Sequence, residues 1–139
     1  MITGNLILPM AAMVFLTVIV LTTLFRRRVR AVRSQQVSLS YYSTYQGATE
    51  PEFAAQASRH FSNLFEAPTL FYVACLAAMA SQRVTTLFVA LSWGYVVARY
   101  VHAYVHLGSN RIGNRFRIYF ASWVILVVMW IVLIAGTII

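Results

Sequence analysis

Residues 59–80 read RHFSNLFEAPTLFYVACLAAMA, and the fold turns on how this stretch is taken. Residues 67–80 are an apolar run of only 14 residues, short of the roughly 20 that carry a helix across a bilayer. Joined to the amphipathic segment that begins at Phe53, the run reaches that length. The joined helix then holds Arg59, Asn63 and Glu66 within a span. Ionisable groups persist there mainly where they face a partner, a cavity or a ligand. Pro68 lies inside the same helix. It removes one backbone hydrogen bond, its ring clashes with the Leu64 carbonyl, and a kink is predicted beside Glu66.

Three more runs surround this one, at residues 6–25, 84–98 and 118–139, the second continuing through a polar stretch to Leu107. Hydrophobic residues make up 60% of the 139 and charged residues 10%, against about 25% charged in soluble domains. The expectation is one all-α transmembrane domain, a four-helix bundle with helices over about 5–33, 51–80, 84–107 and 111–138. In Thr49-Glu50-Pro51-Glu52, Thr49 is the expected cap of the second helix. Ser81-Gln82-Arg83 is a tight turn, and Gly108-Ser109-Asn110 breaks the third helix. The short connections make the second and third helices, and the third and fourth, antiparallel neighbours. Tyr41, Tyr42 and Tyr45, in the long polar connection, suit the headgroup level.

All 11 basic residues are Arg, and Lys and Asp are absent. Arg26, Arg27, Arg28, Arg30 and Arg33 follow the first run, Arg111, Arg115 and Arg117 flank the third connection, and only Arg83 lies in the second. This is the positive-inside pattern. It places both termini outside and the Arg-rich connections in the cytoplasm. The net charge of +8 is therefore read as topology and attraction to anionic lipid, and no nucleic-acid partner is expected. The first run has no basic segment before it and is too long for a cleaved signal peptide. Cys75, alone in an apolar run, reads as a small buried hydrophobe.

The polar residues recur at helical spacing. Gln56, Arg59, Asn63 and Glu66 form one stripe, Ser92, Tyr95, Arg99, His102 and His106 a second, and Arg111, Arg115, Tyr119 and Ser122 a looser third. Glu66 lies 14 residues from Ala80 and Arg99 lies 15 from Val84, so both sit roughly 20 Å below the outer surface. Glu66 is thus predicted to pair with Arg99, and Asn63 to hydrogen-bond His102. Arg59, Arg99, Arg111 and Arg115 outnumber Glu66, which leaves donor capacity for a small carboxylate ligand. His102 and His106 have a spacing that can share a metal, with Glu66 or His60 as third ligand. Arg59 and Arg99 in the same stripes would repel a cation, and no metal is assigned. No nucleophile elbow or phosphate loop is present.

At Arg59-x3-Asn63-x2-Glu66-x-Pro68 and Arg99-x2-His102, then Leu107-Gly108, Arg111, Arg115 and Tyr119, the chain resembles the MAPEG family, the membrane-associated proteins in eicosanoid and glutathione metabolism. The spacing is similar to that of its prostaglandin E synthase branch. The resemblance implies a homotrimer of four-helix subunits, with glutathione bound between subunits near the cytoplasmic face. It implies that Arg115 stabilises the glutathione thiolate and that Arg59, Asn63, Glu66, His102 and Tyr119 hold the tripeptide. Three departures stand out. His106 replaces a Tyr of that branch, Phe116 replaces a Ser implicated in thiol activation, and the first cytoplasmic connection lacks Asp. The compact length implies a bacterial inner-membrane member.

The expected site therefore comprises Arg115 as the catalytic group, with Arg59, Asn63, Glu66, Arg99, His102, His106, Arg111 and Tyr119 binding glutathione or a similar thiol. Any reaction would conjugate or reduce a lipophilic electrophile, as a glutathione-dependent transferase or peroxidase. The alternative is a non-enzymatic membrane subunit whose polar core is structural and whose lipid-facing surface docks on a larger complex.

Overall fold

The computed structural model describes residues 6–138, with no strand among them. Its elements are α1 (Ile7–Arg33), α2 (Tyr41–Thr44), α3 (Glu52–Asn63), α4 (Ala67–Ala80), α5 (Thr86–Leu107) and α6 (Ile112–Ile138). The expected helix start at Asn5 lies outside the described residues. Three helical stretches among those described are long and apolar enough to cross a membrane: Ile7–Arg33, Glu52–Ala80 and Ile112–Gly136. The 22-residue α5 carries Ser92, Arg99, His102 and His106 on its buried face, which lowers its apolarity.

α1 buries Met13, Leu16, Val20, Leu24 and Ala31 along one side. Its opposite side is apolar too, with Leu8, Phe15 and Phe25 exposed. A helix apolar all round belongs in a core or a membrane. α1 packs on α3 and α5, α5 runs along α6, and α4 reaches α6. Between these helices lie Phe71, Phe88, Leu126 and Met129, all buried. The Phe71 and Tyr95 rings stack there with centroids 4.6 Å apart.

The predicted second helix is two helices. Backbone N–H groups of Leu64 and Phe65 bond back only three residues, to Phe61 and Ser62. α4 then restarts at Ala67 with Pro68 in its first turn, where a proline is tolerated. The Pro68 ring excludes an α-helical Leu64 carbonyl, so the break falls upstream of the proline itself. Glu66, with φ −92° and ψ −98°, is the residue before α4 and has left the helical path.

Other ends differ from expectation in similar ways. Thr49 does not cap α3. Pro51 occupies the cap position without a side-chain bond, and neighbouring Glu50 turns to Arg28, at 3.1 Å. α5 starts two residues late because Thr85 caps it, its hydroxyl oxygen accepting from the Phe88 N–H at 3.2 Å. At the far end of α5, Asn110 takes the left-handed conformation, with φ 48°. Gly108 is needed there for a different reason: a Cβ on it would stand 2.9 Å from the Tyr104 carbonyl oxygen.

The connection after α1 is ordered by Arg28. Its guanidinium lies over the rings of Tyr42 and Tyr45, at 4.9 and 5.7 Å. Burial, then the charge of Glu50, pushes the Tyr42 phenol up to about 12. The tyrosines form this corner through edge contacts of 5.2 to 6.3 Å.

Candidate functional site

α3 is strongly amphipathic and turns Gln56 and His60 inward. Facing it, α5 turns Arg99, His102 and His106 inward. The first turns of α6 close the third side with Arg115 and Tyr119. A groove of about 570 Å³ results, lined by Arg59, Ser62, Asn63, Glu66, His102, His106, Ile112, Arg115, Phe116 and Tyr119. Seven of the nine residues nominated from sequence therefore line one groove. Arg99 lies behind the groove wall, fully buried. Arg111 is exposed on the surface and does not line it.

The expected Glu66–Arg99 pair does not form. Arg99 Nη2 donates to Asn63 Oδ1 at 2.6 Å, and Asn63 Nδ2 donates to Glu66 Oε2 at 3.3 Å. Asn63 thus bridges the two charges. The depth count assumed an unbroken helix through Glu66. The break at residues 64–66 leaves Asn63 level with Arg99 and turns Glu66 outward, where it is exposed. Asn63 turns its amide to Arg99 and Glu66 in this bridge, and the expected bond to His102 does not form.

Arg99 also lies over the Tyr119 ring, its guanidinium carbon 5.7 Å from the centroid. Its Nε and Nη1 have no hydrogen-bond partner in the protein. Arg115 is held from the loop side, Nη1 donating to Asn110 Oδ1 at 3.1 Å. The groove presents Arg59 and Arg115 against Glu66, with Arg99 behind them. That surplus of guanidinium forks suits a ligand carrying more than one carboxylate.

His60, named from the sequence only as a third metal ligand beside His102 and His106, is the largest addition to the expected binding set. Its ring lies 5.4 Å from that of His102 and 4.7 Å from that of His106. The signal was present, since His60 follows Gln56 by four residues and precedes Asn63 by three. Arg27 was read only as a topology charge, and it does more. Its Nη1 donates to the Phe53 carbonyl at 2.7 Å and to Gln56 Oε1 at 2.8 Å, and its Nη2 to the Leu107 carbonyl at 2.7 Å. Gln56 Nε2 continues to the His106 carbonyl at 2.6 Å. This network ties α1, α3 and the end of α5 together beside the groove. Ser62, Ile112 and Phe116 complete the lining, and the first two carried no signal in the sequence. Cys75 is buried, as a small hydrophobe would be.

No curated protein matches the chain in a similarity search, and no solved structure does. The MAPEG family's sequence profile matches residues 6–135, nearly the whole chain including every element that builds the groove, and the chain belongs to the MAPEG family.

Proposed function

We propose that this membrane protein binds glutathione or a similar acidic thiol in the α3–α5–α6 groove and uses the bound thiol against a lipophilic electrophile. One observation carries the reading: residues nominated by charge and spacing on three separate helices converge on one groove, of a size common for small-molecule sites. Arg59 reaches a ligand carboxylate, Asn63 offers its remaining N–H along the tripeptide, Glu66 accepts from the ligand's N–H groups, and Tyr119 offers its hydroxyl. Arg115 lies at the start of α6 where a water-soluble thiol arrives. A cation beside a thiol lowers its pKa and raises the nucleophilic thiolate fraction at neutral pH. Family membership adds a general association with glutathione.

The same reading takes the chain as a single transmembrane domain of four spans, with α5 as the additional one. Both termini lie outside, the groove opens toward the cytoplasm, and the assembly is a homotrimer in a bacterial inner membrane. The abundant exposed apolar surface, Phe15, Phe25, Phe116 and Phe120 included, leaves room for lipid and neighbouring subunits.

The deciding experiment is a glutathione titration of purified protein in nanodiscs, read by calorimetry and by thiolate absorbance. Wild-type protein is expected to bind saturably. Arg59→Leu should weaken binding about tenfold, the loss of one charge-assisted contact. Arg115→Leu should retain most of the affinity and lose the thiolate signal. Absence of saturable binding in wild-type protein overturns the reading in favour of a structural subunit.

A further inference from the structure

We propose that His60, His102 and His106 form a binding site for one transition-metal ion of the zinc type, held between α3 and α5. One ring nitrogen from each of the three lies within 4.8 Å of the others. A tetrahedral ion with Zn–N bonds of about 2.0–2.1 Å sets its ligands about 3.4 Å apart, so side-chain rotations on the order of 1 Å close the site. His102 and His106 stand one turn apart on α5, and His60 faces them from α3.

Burial supports the assignment. The three residues are 0%, 2% and 5% exposed. Neither ring nitrogen of His60 has a hydrogen-bond partner in the protein, nor does Nδ1 of His102 or of His106. Orphaned buried polar atoms are costly and rare, and each calls for an explanation. A metal ion accounts for one ring nitrogen of each histidine, because it takes up an imidazole lone pair directly; the second nitrogen of His60 keeps no partner. Imidazole ligands suit zinc, copper and nickel, and a three-histidine set leaves a fourth position open.

His102 and His106 also line the groove, which gives a fourth ligand a route to the cluster. Arg59, Arg99 and Arg115 are the cations that face this cluster, and Glu66 is the carboxylate on the groove wall. The guanidinium of Arg99 is turned toward Asn63. An anionic fourth ligand entering from the groove, hydroxide being sufficient, offsets the ion's charge beside those arginines. The site stands whether or not the groove takes a thiol.

The test uses full-length protein in detergent, stripped with chelator and titrated with zinc in the absence of any thiol. One zinc per chain is expected, and X-ray absorption of the loaded protein should show an imidazole shell. His60→Phe keeps the ring's bulk, and His60 is not part of the groove lining. It should weaken zinc binding by about 100-fold or more, since even residues that only orient metal ligands contribute 10–100-fold. Cys75→Ser should bind as wild type does. No saturable zinc binding, an affinity indifferent to His60→Phe, or a metal shell without imidazole overturns the site. If His60→Phe fails to fold, the absorption spectrum of wild-type protein decides alone. The glutathione titration, run with chelator present, fails or succeeds independently.

Discussion

Two arginines, Arg27 and Arg99, occupy opposite kinds of polar environment in the same small protein. Arg27 sits at the Arg-rich end of α1, where its two terminal nitrogens make three hydrogen bonds to groups on other elements. Arg99 lies fully buried in mid-helix and makes one, to Asn63, leaving Nε and Nη1 without partners. The first leaves no buried donor without a partner and joins helices. The second has donors left over beside a groove. Saturated polar groups in a bundle act as glue, whereas unsaturated buried ones carry a free-energy penalty and mark function.

The largest effect expected from this contrast is on the Arg27 network, which latches α1 to α3 and to the end of α5. Arg27→Ala leaves the Phe53 and Leu107 carbonyls and Gln56 without their donor and should destabilise the fold by about 3 kcal/mol. Thermal unfolding in a fixed detergent would measure it. A loss under about 1 kcal/mol would mean that the three bonds are no better than those water makes. Gly108→Ala tests the same latch from the other side. Its Cβ would meet the Tyr104 carbonyl oxygen, displacing the turn after Leu107, the residue that accepts from Arg27. The expected cost is about 1–2 kcal/mol, and it should shrink in an Arg27→Ala background, a coupling that a double-mutant cycle would expose.

Arg99→Met is expected to have the smallest effect on stability, within about 1 kcal/mol, because an apolar chain of similar length removes a partly unsatisfied buried cation. Its signature should appear in ligand affinity instead. Asn63 and Glu66 lose the group that orients them, so glutathione binding in nanodiscs should fall while the melting temperature holds. A large stability loss with unchanged binding would make Arg99 a second latch and erase the contrast.

Much of this arrangement was legible in the chain. The helical stripes of α3 and α5 follow from spacings of three and four, and seven of the nine residues drawn from them and from α6 line one groove, Arg99 and Arg111 excepted. Spacing is a local property, and it survives folding. The Glu66–Arg99 pair failed because depth counting needs an unbroken helix, and Pro68 acts four residues upstream of itself. Arg27 failed for another reason. A charge inside RRRVR looks like every other topology charge, and only the arrival of Phe53, Gln56 and Leu107 from distant parts of the chain distinguishes it. His60 lay between the two outcomes, at correct spacing from Gln56 but outside the stripe drawn through Arg59.

The interruption at residues 64–66 also divides the chain's freedom to vary. α4 (APTLFYVACLAAMA) contains no charged residue and serves the site by packing, so its exposed positions Leu70, Val73 and Leu76 have the latitude of any lipid-embedded anchor while Phe71, Ala74, Cys75 and Ala78 are held by the core. Volume-conserving apolar exchanges there are tolerated well. α3 has no such latitude, since Gln56, His60 and Asn63 each meet a specific atom or ring across a helix interface. Because the two segments are separate helices, drift on that exposed face need not propagate into the polar half. A lineage moving between bilayers of different thickness could therefore remodel the exposed face of α4 while the chemistry beside it stays in place.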